Sequence, residues 1–316
     1  MKNNHTILFL GGSGFLGLNV LGQYFNNNPE KTYRFIVVGK RKTDHELLKK
    51  EGVTKVVCDF SDFEKLEKLF KDNVINEVFH FLSTSVPATS NDNIIKDISS
   101  NLICSINLLN LMVKYHVKKI TYLSSGGTVY GDPHIKRFQE QESYKLKSSY
   151  GIIKFTFEKY IELYKELHNI DYFIIRLSNP FGLNHFSNVN GLINLALRKY
   201  LRNEKITIWG DGSAKKDYIF SIDFANIFWQ LHNLEVQNII LNVGSGISLS
   251  VQQVLTLIKK IVPELCWEYA QEKEFDTKVV DFELERLCSI ISTSNTNIME
   301  SIKQTYEWEK LSFEDK

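Results

Sequence analysis

Long apolar runs are missing from this chain: nothing approaches the ~20 consecutive residues of a membrane-crossing helix, so no membrane role is expected. An excess of one charge is missing as well. Lys plus Arg number 38 against 37 Asp plus Glu, and the resulting +1 leaves no long-range field to gather nucleic acid, so any basic site has to be local. Cysteine is sparse. Cys58, Cys104, Cys266 and Cys288 stand far apart with neither a CxxC pair nor zinc-type Cys/His spacing, which argues against a disulfide scaffold or a structural metal and for reduced thiols in a cytoplasm. The five prolines are scattered, no linker or low-complexity tract interrupts the chain, and no internal repeat is visible. The start, Met1 to Thr6, runs straight into a short apolar stretch that ends in glycines, unlike a secretory signal. What remains is 316 residues with 43% hydrophobic and 24% charged content, an ordinary globular composition with room for one large α/β domain or two domains.

Ile7-Leu8-Phe9-Leu10 is apolar without alternation, the mark of a strand buried on both faces. A helical pattern follows through Phe25 and stops at Asn26-Asn27-Asn28-Pro29. Further strands are predicted at 33–38, 53–58, 77–82, 119–123 and 172–177, with helices at 94–116 and 148–167. This alternation predicts βαβ units and a Rossmann-like, doubly wound parallel sheet spanning residues 1–178. From residue 179 to 316 the pattern loosens into a smaller C-terminal α/β lobe: helices near 193–201, 224–234 and 251–262, and a short strand at 205–209. Residues near 215–245 are expected to rejoin the first domain in part, with 239–243 as a strand that could return to the sheet.

Gly11-Gly12-Ser13-Gly14-Phe15-Leu16-Gly17 lies between the first strand and the first helix. Gly11, Gly14 and Gly17 supply a tight turn, close approach to a pyrophosphate, and close helix–strand packing, while the helix N-terminus offers free N–H groups. In this context the triplet predicts a bound dinucleotide. The acid expected ~20 residues further on is missing. The second strand instead ends in Lys40 and Arg41, which could neutralise a 2′-phosphate, so both NAD and NADP are open; the alternative for this basic pair is a solvated loop. Asp44 could be a displaced acid, and Asp59, after the third strand, is placed to meet the adenine.

Tyr150 and Lys154 form a YxxxK pattern that puts both side chains on one helix face. A phenol with pKa near 10 is a poor base at neutral pH. An ammonium one turn away, with a nicotinamide cation, would stabilise the phenolate and make Tyr150 a usable acid or base.

These motifs occur in order with Ser124-Ser125-Gly126-Gly127-Thr128-Val129-Tyr130-Gly131, Ser178-Asn179-Pro180-Phe181-Gly182, Gly210-Asp211-Gly212, Lys216-Asp217-Tyr218 and Asn242-Val243-Gly244-Ser245-Gly246. Over nearly its whole length the chain resembles the extended short-chain dehydrogenases/reductases of the nucleotide-sugar epimerase/dehydratase kind, UDP-glucose 4-epimerase among them. The resemblance implies that Tyr150 exchanges a proton with a sugar hydroxyl while Lys154 tunes it and grips the nicotinamide ribose. It implies cofactor contacts at Ser13, Phe15, Leu16, Phe60, Leu82, Ser83 and Pro180 in addition to the glycines, Lys40, Arg41 and Asp59. Asn179 would contact the sugar diphosphate, and Lys216 stands where relatives often have a diphosphate-clamping Arg. Arg286, with Lys273 as the substitute, is the candidate for a second such cation. The main departure is Gly126, where relatives place the Ser or Thr that bonds the reacting oxygen; Ser125 or Thr128 would have to supply that hydroxyl.

The resemblance implies hydride transfer at C4 of a nucleotide-diphosphate sugar in a homodimer. The Asp-Glu pair of 4,6-dehydratases is replaced by Gly127 and Thr128, so dehydration lacks its acid and base. A 4-epimerase, with Gly126 and Gly127 leaving room for a keto sugar to turn over, is the leading expectation. An NADPH-dependent 4-keto-sugar reductase, favoured by Lys40 and Arg41, is the alternative, and a cofactor-binding protein without turnover the remaining one.

Overall fold

The computed structural model describes residues 5–27, 33–40, 43–131, 139–140, 146–271 and 279–314. Its first half alternates as expected: β1 (His5–Leu10), α1 (Phe15–Asn27), β2 (Tyr33–Gly39), β3 (Val53–Val57), α2 (Phe63–Asp72), β4 (Glu77–His80), α3 (Ile94–Asp97), α4 (Cys104–Lys114), β5 (Lys119–Ser125), α5 (Ser149–His168) and β6 (Asp171–Leu177). There follow β7 (Asn179–Phe181), α6 (Leu192–Leu201), β8 (Ile206–Trp209), β9 (Lys215–Phe220), α7 (Ser221–Asn233), β10 (Ile239–Val243), β11 (Ser248–Ser250), α8 (Val251–Lys259), β12 (Trp267–Ala270), α9 (Glu285–Ile290) and α10 (Ile298–Glu314).

Seven strands form one sheet in the order β10-β6-β5-β4-β1-β2-β3, every neighbouring pair parallel. The unbroken apolar run of β1 is explained by its two buried faces. Ile7 and Phe9 pack under Leu18 and Leu21 of α1 and Phe228 and Trp229 of α7, while Leu8 and Leu10 pack under Leu108 and Met112 of α4. Full burial of such a side chain stabilises the fold by ~1.5–3 kcal/mol. The winding reverses between β1 and β4, which opens a crevice at the carboxyl ends of the strands. Register brings Leu10 level with Val38 and His80, so the loops after β1, β2 and β4 share one rim.

The second lobe has its own core, in which Phe181, Leu197, Ile208, Phe220, Leu255 and Ile302 meet. A three-stranded sheet, β11-β9-β7, and the pair β12-β8 organise it. Strands β7, β9, β11 and β12 and the short helix α9 were not read from the sequence, and two further features depart from it. The helix expected over 94–116 is interrupted by a π-helical turn at Ile98–Ile103, and helices α2 and α10 went unread. Both are rich in Lys and Glu, with short apolar stripes that a window average hides.

Candidate active site

At the crevice, Gly11 takes φ +83°, and a Cβ there would sit 2.8 Å from the Leu82 backbone nitrogen. A Cβ on Gly17 would sit 2.5 Å from the Gly11 carbonyl oxygen, so α1 is seated directly on the turn and aims its N-terminus at the crevice. Ser13 and Gly14 form the rest of the turn, Phe15 and Leu16 open the helix, and Leu82 and Ser83 follow β4 across the crevice. Phe60 is buried edge-on against His80, with ring centres 5.2 Å apart. Pro180 lies on β7. A cradle that only glycine can line, facing a helix N-terminus, fits a dinucleotide pyrophosphate. Lys40 Nζ pairs with Asp59 Oδ2 at 2.8 Å, and that lysine, with Ser61, holds the Asp59 carboxyl down to about 2. This pair lies on the surface, and Arg41 lies outside the described residues. Asp44 pairs with Lys49 at 2.7 Å on the surface.

Ser148 caps α5 by accepting the Gly151 N–H at 3.2 Å, and the first turn carries Tyr150 inward. Lys154 is buried; its Nζ donates to the Leu123 carbonyl at 2.8 Å and stands 4.8 Å from the centre of the Tyr122 ring and 5.6 Å from that of Tyr150. Burial brings the Lys154 ammonium down to about 8, against the supporting charges of Glu158 and Asp97. Burial, together with Asp97, pushes the Tyr150 phenol up to about 12, against a hydrogen bond with Ser125. The expectation of a tyrosine drawn toward neutrality is therefore not met by the chain's own groups, because desolvation wins. The positive charge of an oxidised nicotinamide acts in the opposite direction.

Two acids stand behind the pair. Asp97 Oδ2 accepts from Ser149 Oγ at 2.7 Å, and its Oδ1 accepts from Asn101 Nδ2 at 2.8 Å. The π-helical turn aims Asn101 at the loop after β4, where its Oδ1 accepts the Thr84 N–H at 2.8 Å. Glu158, fully buried, accepts from Ser124 Oγ at 2.5 Å and from Arg176 Nη2 at 2.7 Å. Neither acid was read from the sequence, although Glu158 continues the i, i+4 stripe of Tyr150 and Lys154 and was legible there. His80 bonds Ser105 Oγ at 2.8 Å; burial and Lys154 keep its ring neutral with a pKa of about 3, which leaves it a packing role.

Tyr150 and Lys154 line a small cavity with Leu82 and Ser83, while Ser125, Thr128, Asn179, Lys216, Lys147 and Trp209 line a cleft of about 300 Å³. Thr128 Oγ1 donates to Ser125 Oγ at 2.9 Å. Asn179 Nδ2 donates to the Asp217 carbonyl at 3.1 Å, which fixes it beside Lys216 of β9. Arg286 is not brought here: it sits on α9 at the far edge of the sheet, with Nη1 on the Ile240 carbonyl at 3.1 Å. Lys273 lies outside the described residues. Lys147, three residues before Tyr150, is the cleft cation that went unread. Gly127 borders the open cleft, but Gly126 adds no room, because the Phe282 ring fills the space beside it.

A doubly wound parallel sheet with a glycine cradle at its switch point, a Tyr/Lys pair on the fifth helix with its lysine buried, and a second lobe that lines a cleft shared with Ser125 define an extended short-chain dehydrogenase/reductase. More closely, the chain belongs to the NAD dependent epimerase/dehydratase family, whose model matches residues 7–244. It is 30% identical to a Methanocaldococcus jannaschii protein provisionally assigned as a UDP-glucose 4-epimerase, over 96% of this chain and 98% of that one. It is 29% identical to a dTDP-4-dehydro-6-deoxyglucose reductase of Escherichia coli, over 62% of each. Among solved structures, a UDP-glucose 4-epimerase of Thermotoga maritima with UDP-glucose superposes with a TM-score of 0.88 at 26% identity, over 98% of this chain and 99% of that one.

Proposed function

We propose that this protein interconverts the C4 epimers of a nucleotide-diphosphate hexose, with NAD held in the crevice by the glycine turn, Leu82, Ser83 and Lys154. One observation carries this reading: Ser125, hydrogen-bonded to the Tyr150 phenol on one side and to Thr128 on the other, lines a cleft that also presents Lys216 and Lys147. Two lysines match the charge of a diphosphate, with Lys147 in the role expected of Arg286. Asn179 bonds the sugar diphosphate, and Trp209 offers a flat apolar face to the base. The names of the relatives support a UDP-hexose.

Bound NAD supplies the hydride store at C4. Tyr150 Oη takes the proton from the C4 hydroxyl and returns it after the sugar has turned over. Ser125 Oγ, oriented by Thr128, bonds the same oxygen, and Lys154 supports the phenolate from behind. The dehydratase alternative lacks an acid at Gly127 and Thr128. The reductase alternative rests, among the described residues, on Lys40, which pairs with Asp59 at the surface. Residues 1–178 with α7 and β10 make the cofactor domain, and most of 179–316 the substrate lobe. Exposed Ile152, Leu163 and Leu167 share one face of α5 and support a homodimer through that helix, and four unbridged thiols support a cytoplasmic setting.

The test is the nucleotide released when freshly purified protein is denatured. Stoichiometric NAD is expected; a protein that carries none and binds NADPH far better than NADH would put the reductase first.

A further inference from the structure

Gly126 stands where a hydroxyl side chain was expected, and a ring from the other lobe stands in its place. A Cβ on Gly126 would fall within the Phe282 ring, with Cε2 at 2.8 Å and Cε1 at 2.9 Å, separations that real Cβ atoms do not adopt. Phe282 is only 1% exposed and is walled in by Val129, Tyr130 and Val280, so the ring cannot step aside without opening that cluster. The segment that delivers it runs along β9. Val280 N donates to the Lys215 carbonyl at 2.9 Å, and Asp217 N donates to the Val280 carbonyl at 3.0 Å. Ser248 Oγ adds bonds to the Val280 carbonyl at 2.9 Å and to Asp281 Oδ1 at 3.0 Å. The strand that carries Lys216 and the ring seated on the catalytic turn are therefore tied together through backbone.

We propose that Phe282 is a positioning residue for the catalytic hydroxyl. By occupying the place of a side chain at 126, it holds the turn after β5 so that Ser125 presents its hydroxyl to Tyr150, between that phenol and Thr128 Oγ1. Gly126 and Phe282 then form one unit, in which ring and side chain exclude each other. The proposal rests on the epimerase reading only for the substrate used to assay it.

A double-mutant cycle tests it, comparing the wild type, Gly126→Ser, Phe282→Ala and the double variant, with Phe282→Leu as the conservative change. Each is measured by unfolding midpoint and by kcat and KM for UDP-hexose epimerisation. Gly126→Ser, which installs the family hydroxyl, is expected to lower kcat by ~10²-fold and to lower the midpoint. Phe282→Ala is expected to lower kcat ~10-fold with KM changed less than ~2-fold, and Phe282→Leu to keep kcat within ~3-fold. The double variant is expected to regain ~10-fold over Gly126→Ser, because the serine enters the vacated space. Wild-type kcat in Gly126→Ser alone, or two substitutions that simply multiply, overturns the proposal. An inactive wild type would sink the epimerase reading instead, while the unfolding cycle would still report coupling between Gly126 and Phe282 or its absence.

Discussion

Among the described residues, each half of the molecule buries an arginine–glutamate pair, and the two differ in what they hold. Arg176 meets Glu158 at 2.7 Å beneath the catalytic strand, and Arg198 meets Glu309 at 2.6 Å between α6 and α10. In both, guanidinium donors also reach backbone carbonyls, Arg176 that of Glu140 and Arg198 those of Ser187 and His185, and Arg198 Nη1 donates to Asn188 Oδ1 as well. Glu309 spends its other contact on Asn194, which closes back on Gly182, so that pair braces the loop from 182 to 191. Glu158 shares its carboxylate with Ser124, the neighbour of Ser125, and lies one helical turn beyond Lys154, whose ammonium it supports. A buried ion pair adds little net stability over apolar packing, and breaking one is costly. Its functional weight comes from what titrates beside it.

Tyr150→Phe sets the baseline and has the largest expected effect: kcat falls ~10³-fold or more with the unfolding midpoint nearly unchanged, because only the proton-transferring oxygen is lost. Glu158→Gln comes next. Burial brings the Lys154 ammonium down to about 8, so activity is expected to decline as pH rises through that value. Without the Glu158 carboxylate the ammonium is less favoured, so the alkaline limb of the kcat profile moves to lower pH and kcat at pH 8 drops roughly 10-fold. Glu309→Gln has the smallest effect on catalysis. It costs ~3–5 kcal/mol of stability in chemical denaturation, much as Glu158→Gln does, yet leaves kcat within ~3-fold and the alkaline limb in place. Equal movement of the limb in both variants would erase the distinction between the pairs.

Glu158 of the first pair was within reach of the sequence, whereas its partner Arg176 and the second pair were not. Tyr150, Lys154 and Glu158 share a spacing of four, and the glycine turn sits between a buried strand and a helix, so local pattern alone places the cofactor crevice and the proton-transferring face. The partners of Glu309, Gly126 and Lys216 come from segments far away in the chain, and no periodicity encodes those meetings. Arg286 illustrates the same point: its residue type suited a diphosphate, but α9 packs it against β10, away from the cleft. Phe282 reads as one more core aromatic until Gly126, whose missing side chain it replaces, is seen beside it.

The central claim is that Tyr150 exchanges a proton at C4 of a nucleotide sugar with a cofactor regenerated in place. The most direct measurement is proton NMR of UDP-glucose, and separately UDP-galactose, with purified enzyme in deuterated water and no added nucleotide. The account predicts that each sugar converts to the same mixture and retains protium at C4, because the hydride leaves and returns without reaching solvent. No interconversion of either sugar, or a product that forms only as NADPH is consumed mole for mole, would contradict it.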